Sequence, residues 1–254
     1  EGGLHRIDFD RGNPRGSINN IGSTQSKETG TTVTYLPDTQ IFGELEYDFS
    51  VLSQRFREIA YLNSGLEIVF VSDYHGDEVT FRFEGGITSM VGDINQERES
   101  LHPPLHMMKM VESTQVEAAL QYTTSSTESM YTFANCIPTP EGGTHMTGFR
   151  TALTRVLNDY ARKQKLLRDD QANLTGEDVR EGLTVVLSVK LVDPQFEGQT
   201  KGRLGNAEVK GAVESAVAEA LTIYLEDYPN DSRRIIEKCI TAQKAREAAR
   251  RARE

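Results

Sequence analysis

The run Leu183–Val192 reads Leu-Thr-Val-Val-Leu-Ser-Val-Lys-Leu-Val and is close to continuous in valine and leucine. A strand of this pattern has no polar face to offer water, so it favours burial on both faces. The elements around it are ordered strand, strand, helix, strand, helix. Val116–Tyr122 and Met130–Ile137 are β-rich runs joined by the polar connection Thr123–Ser129. Phe149, Leu153, Val156, Leu157 and Tyr160 repeat at helical spacing, with Thr144 placed to serve as N-cap. Thr175-Gly176-Glu177-Asp178 resembles a capping box with Asp in the last place, which predicts a short helix before the buried strand. Val209, Ala212, Val213, Ala216, Ala220 and Tyr224 predict another amphipathic helix ending before Pro229, and Asn230-Asp231-Ser232 offers a cap for a final one. This order argues for an α+β layer rather than a helical bundle.

The first hundred residues read as β structure interrupted by one helix. His5–Phe9 and Thr32–Leu36 carry β-formers, separated by a Gly-, Ser-, Thr- and Asn-rich connection over Gly12–Gly30. Leu52, Phe56, Ile59 and Ala60 have helical spacing, with Ser50 as a candidate cap and Gly65 past the end. Leu66–Val71 and Val79–Phe83 flank Asp73-Tyr74-His75-Gly76-Asp77, which predicts a hairpin. Gly85-Gly86 opens a short helix over Ile87–Asn95, and Pro103-Pro104 resists both helix and central strand. The domain boundary is expected near residue 100.

No run of about 18 apolar residues exists, which argues against a membrane span. The start Glu1-Gly2-Gly3 lacks the pattern of a secretory signal, and a cytoplasmic location is expected. Cys136 and Cys239 suggest neither a disulfide framework nor a zinc site. The five histidines form no H-E-x-x-H, and His102 and His106 flank the two prolines, so no metal site is expected. Neither nucleotide-binding glycine motif, G-x-x-x-x-G-K-[ST] or G-x-G-x-x-G, occurs, and no nucleophile elbow does.

A net charge of −10 disfavours nucleic acid as a partner. That charge is unevenly spread. From Arg233 to Glu254, eight basic residues face three acidic ones, giving +5, while residues 1–232 carry −15. Arg246, Arg250 and Arg253 fall at i, i+4 and i+7 on one helical stripe. The stripe reads either as a solvated helix end complementing the dipole or as a surface facing DNA or an acidic partner.

The most suggestive local feature is the loop Asp193-Pro194-Gln195-Phe196-Glu197-Gly198-Gln199-Thr200-Lys201-Gly202, which follows the buried strand. Gly198 and Gly202 permit sharp bends, Lys201 offers a compact cation and the Gln199 amide a neutral donor, a pairing suited to a terminal phosphate. The same residues also describe a solvated turn. The Thr31 hydroxyl in Gly30-Thr31-Thr32-Val33 could bond a ligand or satisfy a turn, and Gly142-Gly143-Thr144 could bind an anion or act as turn and cap.

Together these pieces resemble the B subunits of bacterial DNA gyrases, which are type IIA topoisomerases. The resemblance rests on Gly30-Thr31-Thr32-Val33 with Pro37-Asp38, on Arg57-Glu58-Ile59-Ala60-Tyr61-Leu62-Asn63 and on Glu84-Gly85-Gly86-Ile87. It extends through Glu141-Gly142-Gly143-Thr144-His145, Arg180-Glu181-Gly182-Leu183, Pro194–Lys201 and the basic tail. It implies the C-terminal part of a Bergerat-type (GHKL) α/β-sandwich ATPase domain over residues 1–100. Residues 101–254 would be a transducer domain with a ribosomal-protein-like β-α-β fold and a long basic C-terminal helix.

By this resemblance the intact subunit hydrolyses ATP with Mg²⁺, dimerises on ATP binding, partners the gyrase A subunit and closes a gate around double-stranded DNA. Thr31 would help bind adenine through water, and Gln199 and Lys201 would reach the γ-phosphate, with Lys201 the catalytic cation. The upstream motifs that supply the glutamate base, the Mg²⁺-binding asparagine, the adenine-binding aspartate and the glycine-rich lid do not occur, so the chain is expected to be an inactive fragment. The alternatives are a topoisomerase IV B subunit, a non-catalytic dimerisation or interaction module, and an RNA-binding β-α-β protein. The last lacks an aromatic-bearing strand motif for stacking bases.

Overall fold

The computed structural model describes residues 2–25, 29–168 and 170–252. It divides into two compact units, Glu1–Phe49 and Ser50–Glu254.

In the first unit, β1 (Gly3–Arg6) is followed by β2 (Phe9–Asp10), β3 (Asn13–Pro14), β4 (Asn19–Ser23) and the single-turn α1 (Thr39–Phe42). β1 pairs antiparallel with β4 through a bulge between Leu4 and His5, and β2 pairs antiparallel with β3. Two pairs of strands therefore occupy what the sequence predicts as one strand and a long connection. Arg11 and Gly12 make the β2–β3 turn with φ of 47° and 81°, the left-handed geometry that favours glycine. Thr32–Leu36 forms no strand: β-formers need a partner ladder, and none of the described residues supplies one. Asp38 N-caps α1 through the Gln40 N–H at 2.9 Å and pairs with Arg11 at 2.7 Å. None of the described residues of this unit is buried; Val33, Tyr35 and Leu36 are 79%, 72% and 93% exposed.

The second unit begins with α2 (Phe49–Leu62), the hairpin β5 (Ile68–Ser72) and β6 (Asp77–Phe81), and α3 (Gly86–Ile94). α2 starts one residue before Ser50, so Ser50 lies in its first turn and not at its cap. Next come β7 (Leu105–Val111), β8 (Thr114–Tyr122), β9 (Ser129–Ala134), β10 (Ile137–Pro138), β11 (Gly142–Gly143) and α4 (Thr144–Lys163). The chain continues through α5 (Gly176–Arg180), β12 (Leu183–Lys190), β13 (Arg203–Leu204), α6 (Ala207–Asp227) and α7 (Pro229–Arg251).

A five-stranded sheet of order β10-β9-β12-β8-β7 organises the unit. β12 runs parallel to β9 and antiparallel to β8, so β9, α4, α5 and β12 form a β-α-β crossover. Seven of the eight β12 residues are buried. Leu183, Val185, Leu187 and Val189 pack with apolar residues of α4, α6 and α7 on one face. Val186 packs on the other face with Tyr61 and Leu62 of α2 and Ile87, Met90 and Val91 of α3. The two-sided burial expected of the valine-rich run is thus observed.

Helix starts differ from expectation in two further places. Gly143, with φ of 132°, occupies the N-cap of α4, and Thr144 is the first helical residue because β11 ends immediately before it. α7 begins at Pro229, whose missing N–H costs nothing there, and the Ser232 hydroxyl instead donates back to the Leu225 and Tyr228 carbonyls. Thr175 and Asp178 make the full reciprocal capping box.

α4 and α6 cross closely at Gly148, where an added Cβ would lie 2.4 Å from the Lys210 carbonyl oxygen. Gly148→Ala should therefore destabilise the protein by about 1–3 kcal/mol in urea denaturation, although alanine is the better helix former. A stabilised variant would show that the crossing is looser than these contacts imply.

Candidate functional site

Lys201 and Gln199 lie together on the exposed tip of the loop between β12 and α6. The loop is a hairpin whose limbs meet at a bridge between Phe196 and Leu204. Backbone bonds run from the Glu197 N–H to the Arg203 carbonyl at 2.9 Å and from the Gly205 N–H to the Gln195 carbonyl at 2.7 Å. An exposed Arg203–Glu197 ion pair at 3.2 Å spans the same level. Beyond it, the Lys201 N–H donates to the Gly198 carbonyl at 3.3 Å. Gly198 has φ of 83° and Lys201 itself φ of 56°, a conformation that costs a residue with a Cβ about 1 kcal/mol. The Lys201 ammonium makes no hydrogen bond or ion pair with any described residue. A cation held on a bent tip, with an amide two residues away, fits an anionic ligand approaching from solvent.

The glycine pair Gly142-Gly143 forms a short strand immediately before α4. β11 pairs in parallel with β13, Gly142 opposite Arg203 and Gly143 opposite Leu204. The Gly142 N–H is used by the Thr139 carbonyl at 2.8 Å, and the Glu141 N–H by the Gly202 carbonyl at 3.0 Å. A Cβ on Gly143 would sit 2.3 Å from the Leu204 carbonyl oxygen. The pair therefore lets the loop's returning limb lie directly against the start of α4. The sequence singles out both stretches but does not show that one supports the other.

Thr31 belongs to the first unit, where it lies exposed in an extended segment without regular structure. Its hydroxyl makes no hydrogen bond with a described residue.

The basic stripe on α7 is reorganised by the fold. The Arg246 guanidinium makes two bonds to the buried Asp178 carboxylate, Nε to Oδ1 at 2.8 Å and a terminal nitrogen to Oδ2 at 3.0 Å. Burial pushes the Asp178 carboxyl up, but bonds from Arg246 and from the Thr175 N–H and hydroxyl overcome it and leave the carboxyl below its ordinary range. Lys238 pairs with Glu181 at 3.1 Å and Arg251 with Glu247 at 3.7 Å. Arg250 is also engaged, and Arg253 lies outside the described residues. Arg246 thus fastens α7 to the cap of α5 and does not belong to a solvent-facing row.

Among the described residues no group of three or more His, Cys, Asp or Glu side chains could hold a metal ion, and no helix is long and apolar enough to cross a membrane. Cys136 and Cys239 are free thiols.

A family model described as DNA gyrase B matches residues 86–254. DNA gyrase B subunits of Clostridium acetobutylicum and Streptococcus pneumoniae are 46% and 48% identical to this chain, over 100% of it in both cases. The chain spans only 40% and 39% of the length of these relatives. It is similar to the 43K ATPase domain of Thermus thermophilus gyrase B, solved in complex with an aminocoumarin, with a TM-score of 0.86 and 40% identity. That match covers 100% of this chain and 69% of the other. The ATP-binding domain of Francisella tularensis topoisomerase IV matches with a TM-score of 0.82 but 28% identity, covering 96% of this chain and 67% of the other. The α+β class expected from the sequence agrees with these ATPase-domain folds, and the topoisomerase IV alternative is not favoured.

His145, in the first turn of α4, reports on the base of the loop. It is fully buried, with Nε2 3.0 Å from the Thr139 hydroxyl. That hydroxyl donates to the Thr132 carbonyl at 2.9 Å, so the ring proton belongs on Nε2. Nδ1 is buried with no partner among the described residues. A second proton would find no acceptor and would face the positive end of a helix dipole. Burial accordingly lowers the His145 pKa to about 4 from an ordinary 6.5. Between these values the unfolded chain binds more protons than the folded one, so stability is full above pH about 6.5 and falls as the pH drops towards 4. The loss should be on the order of 3 kcal/mol in urea unfolding. His145→Gln should flatten that part of the pH profile, and an unchanged profile would show that His145 is not its source.

Proposed function

The chain belongs to the DNA gyrase B family, and we propose that it forms the phosphate-sensing part of an ATP-dependent type II DNA topoisomerase subunit. The observation that carries this reading is the exposed, unpaired Lys201 ammonium on a loop whose base is built into the α4–α6 layer. We assign residues 1–100 to the C-terminal part of the GHKL ATPase domain and residues 101–254 to the transducer. In the intact subunit the nucleotide, with Mg²⁺, supplies a terminal phosphate whose hydrolysis depends on positioning and on charge stabilisation.

Lys201 supplies a cation to that phosphate and Gln199 a neutral donor beside it. Thr31 helps bind adenine through water. A cation that touches only the terminal phosphate favours one arrangement of the protein while that phosphate is present, which is how a ligand shifts a two-state equilibrium. The partners follow from the same reading: a second B subunit, the gyrase A subunit and double-stranded DNA, in the cytoplasm. DNA supercoiling is the activity of that assembly.

Lys201→Ala in an intact B subunit carrying these residues should lower ATP turnover by about a hundredfold or more, the usual cost of one transition-state donor. Its exposure predicts a stability change within about 0.5 kcal/mol. Unchanged turnover would remove Lys201 from the mechanism. The 254-residue chain by itself should neither hydrolyse ATP nor bind it tightly, because the glutamate base, the Mg²⁺ ligand and the adenine-binding aspartate are not among its motifs. Micromolar binding in a calorimetric titration would contradict this.

A further inference from the structure

Asn206 occupies the N-cap position of α6, where an asparagine oxygen ordinarily accepts from an N–H of the first helical turn. It makes no such bond. The side chain of this 5%-exposed residue is turned back onto the preceding loop. Its Oδ1 accepts from the Gln195 N–H at 2.7 Å, and its Nδ2 donates to the Asp193 carbonyl at 3.1 Å and to the Glu208 carboxylate at 2.8 Å. One amide therefore fastens the outgoing limb of the Lys201 loop to the first turn of α6. The returning limb is held separately by the β11–β13 bridge and by the Glu141 N–H on the Gly202 carbonyl.

Between these anchors the tip has little to direct it. Gly198–Lys201 is closed by a single 3.3 Å backbone bond, and the Lys201 ammonium has no partner among the described residues. The direction in which the ammonium points is thus set at the root, where backbone bonds and the exposed Glu197–Arg203 pair tie the limbs to each other and the buried Asn206 amide ties the outgoing limb to α6.

We propose that Asn206 is a positioning residue for Lys201: its buried amide gives up helix capping to fix the outgoing limb, and so aims the ammonium at the terminal phosphate. The proposal rests on the reading of Lys201 given above. It concerns a residue that touches no nucleotide and acts only through the loop.

The test uses the intact B subunit carrying these residues, in four forms: unchanged, Asn206→Ala, Lys201→Ala and the double variant. Misaiming a catalytic cation by about 1 Å costs up to about a hundredfold, so Asn206→Ala should lower kcat for ATP about ten- to a hundredfold with KM changed less than about threefold. In the Lys201→Ala background the same change should cost less than about twofold, since there is no ammonium left to aim. Amide exchange over residues 193–206 should accelerate in Asn206→Ala. The pair Asn206→Asp with Glu208→Gln, which keeps the Gln195 bond and reverses donor and acceptor between 206 and 208 but gives up the bond to the Asp193 carbonyl, should recover kcat in part, to above the Asn206→Ala value.

Should Asn206→Ala fail to fold, Asn206→Asp alone carries the same comparison, with a kcat loss of at least about threefold that disappears in the Lys201→Ala background. Equal factors in both backgrounds, or undiminished kcat with Lys201→Ala still impaired, would overturn the positioning role and leave the reading of Lys201 intact. Undiminished turnover in Lys201→Ala would overturn both.

Discussion

The second unit depends on one strand being dry on both sides. β12 lies between a parallel and an antiparallel neighbour, and its alternate side chains enter two different cores: Leu183, Val185, Leu187 and Val189 meet α4, α6 and α7, while Val186 meets α2 and α3. At a side-chain period of two, a one-residue slip would exchange the two sets and place Thr184 and Ser188 in the larger core. Polar contacts on the opposite face help hold the register. The Thr184 hydroxyl bonds the Asn95 side chain at 2.8 Å, just past α3, and the Asn95 amide in turn bonds Gln121 of β8 at the same distance. At the end of the strand, the Lys190 ammonium bonds the Leu62 carbonyl and the Asn63 side chain at the C-terminus of α2, the end of a helix that favours a cation.

The loop that leaves β12 inherits this rigidity. Its first limb departs from the centre of the sheet, its second returns to α6, and α6 is pressed against α4 at Gly148. The Lys201 tip is therefore an extension of a packed layer rather than a loose excursion, although every residue from Glu197 to Lys201 is exposed. Exposure and order coexist because the hydrogen bonds that matter are at the root.

Periodicity and turn residues made most of the second unit legible. The helices α2, α4 and α6 follow from apolar spacing, α3 from its opening glycine pair, the β5–β6 hairpin from its Gly- and Asp-bearing turn, and the buried strand from its run of valine and leucine. β7 was not legible: Leu-His-Met-Met-Lys-Met-Val follows two prolines, has only one β-branched residue, and becomes a strand by pairing with β8. Thr32–Leu36 erred in the opposite direction, since β-propensity without a partner makes no ladder. The site divides similarly. Gly198, Gln199 and Lys201 stand out as residue types suited to a phosphate. Asn206 does not, because only the fold shows its amide reaching backbone 11 and 13 residues earlier. The supporting role of Gly142-Gly143 was hidden for the same reason, its partner lying some sixty residues along the chain.

The C-terminal helix shows how far a charge count can mislead once a chain folds. Counterion release scales with the number of cations able to meet phosphates, not with the number present in a segment. Of the basic residues on α7, Arg246 is committed to a buried carboxylate, and Lys238 to Glu181 and the Thr124 carbonyl. Removing either from its partner to serve DNA would strand a partly or wholly buried acid, a cost that exposed pairs such as Arg251–Glu247 do not impose. Arg246 and Lys238 therefore hold the helix against the body. Arg233, Arg234 and Lys244 are exposed cations of α7 that lie off the stripe singled out by the sequence.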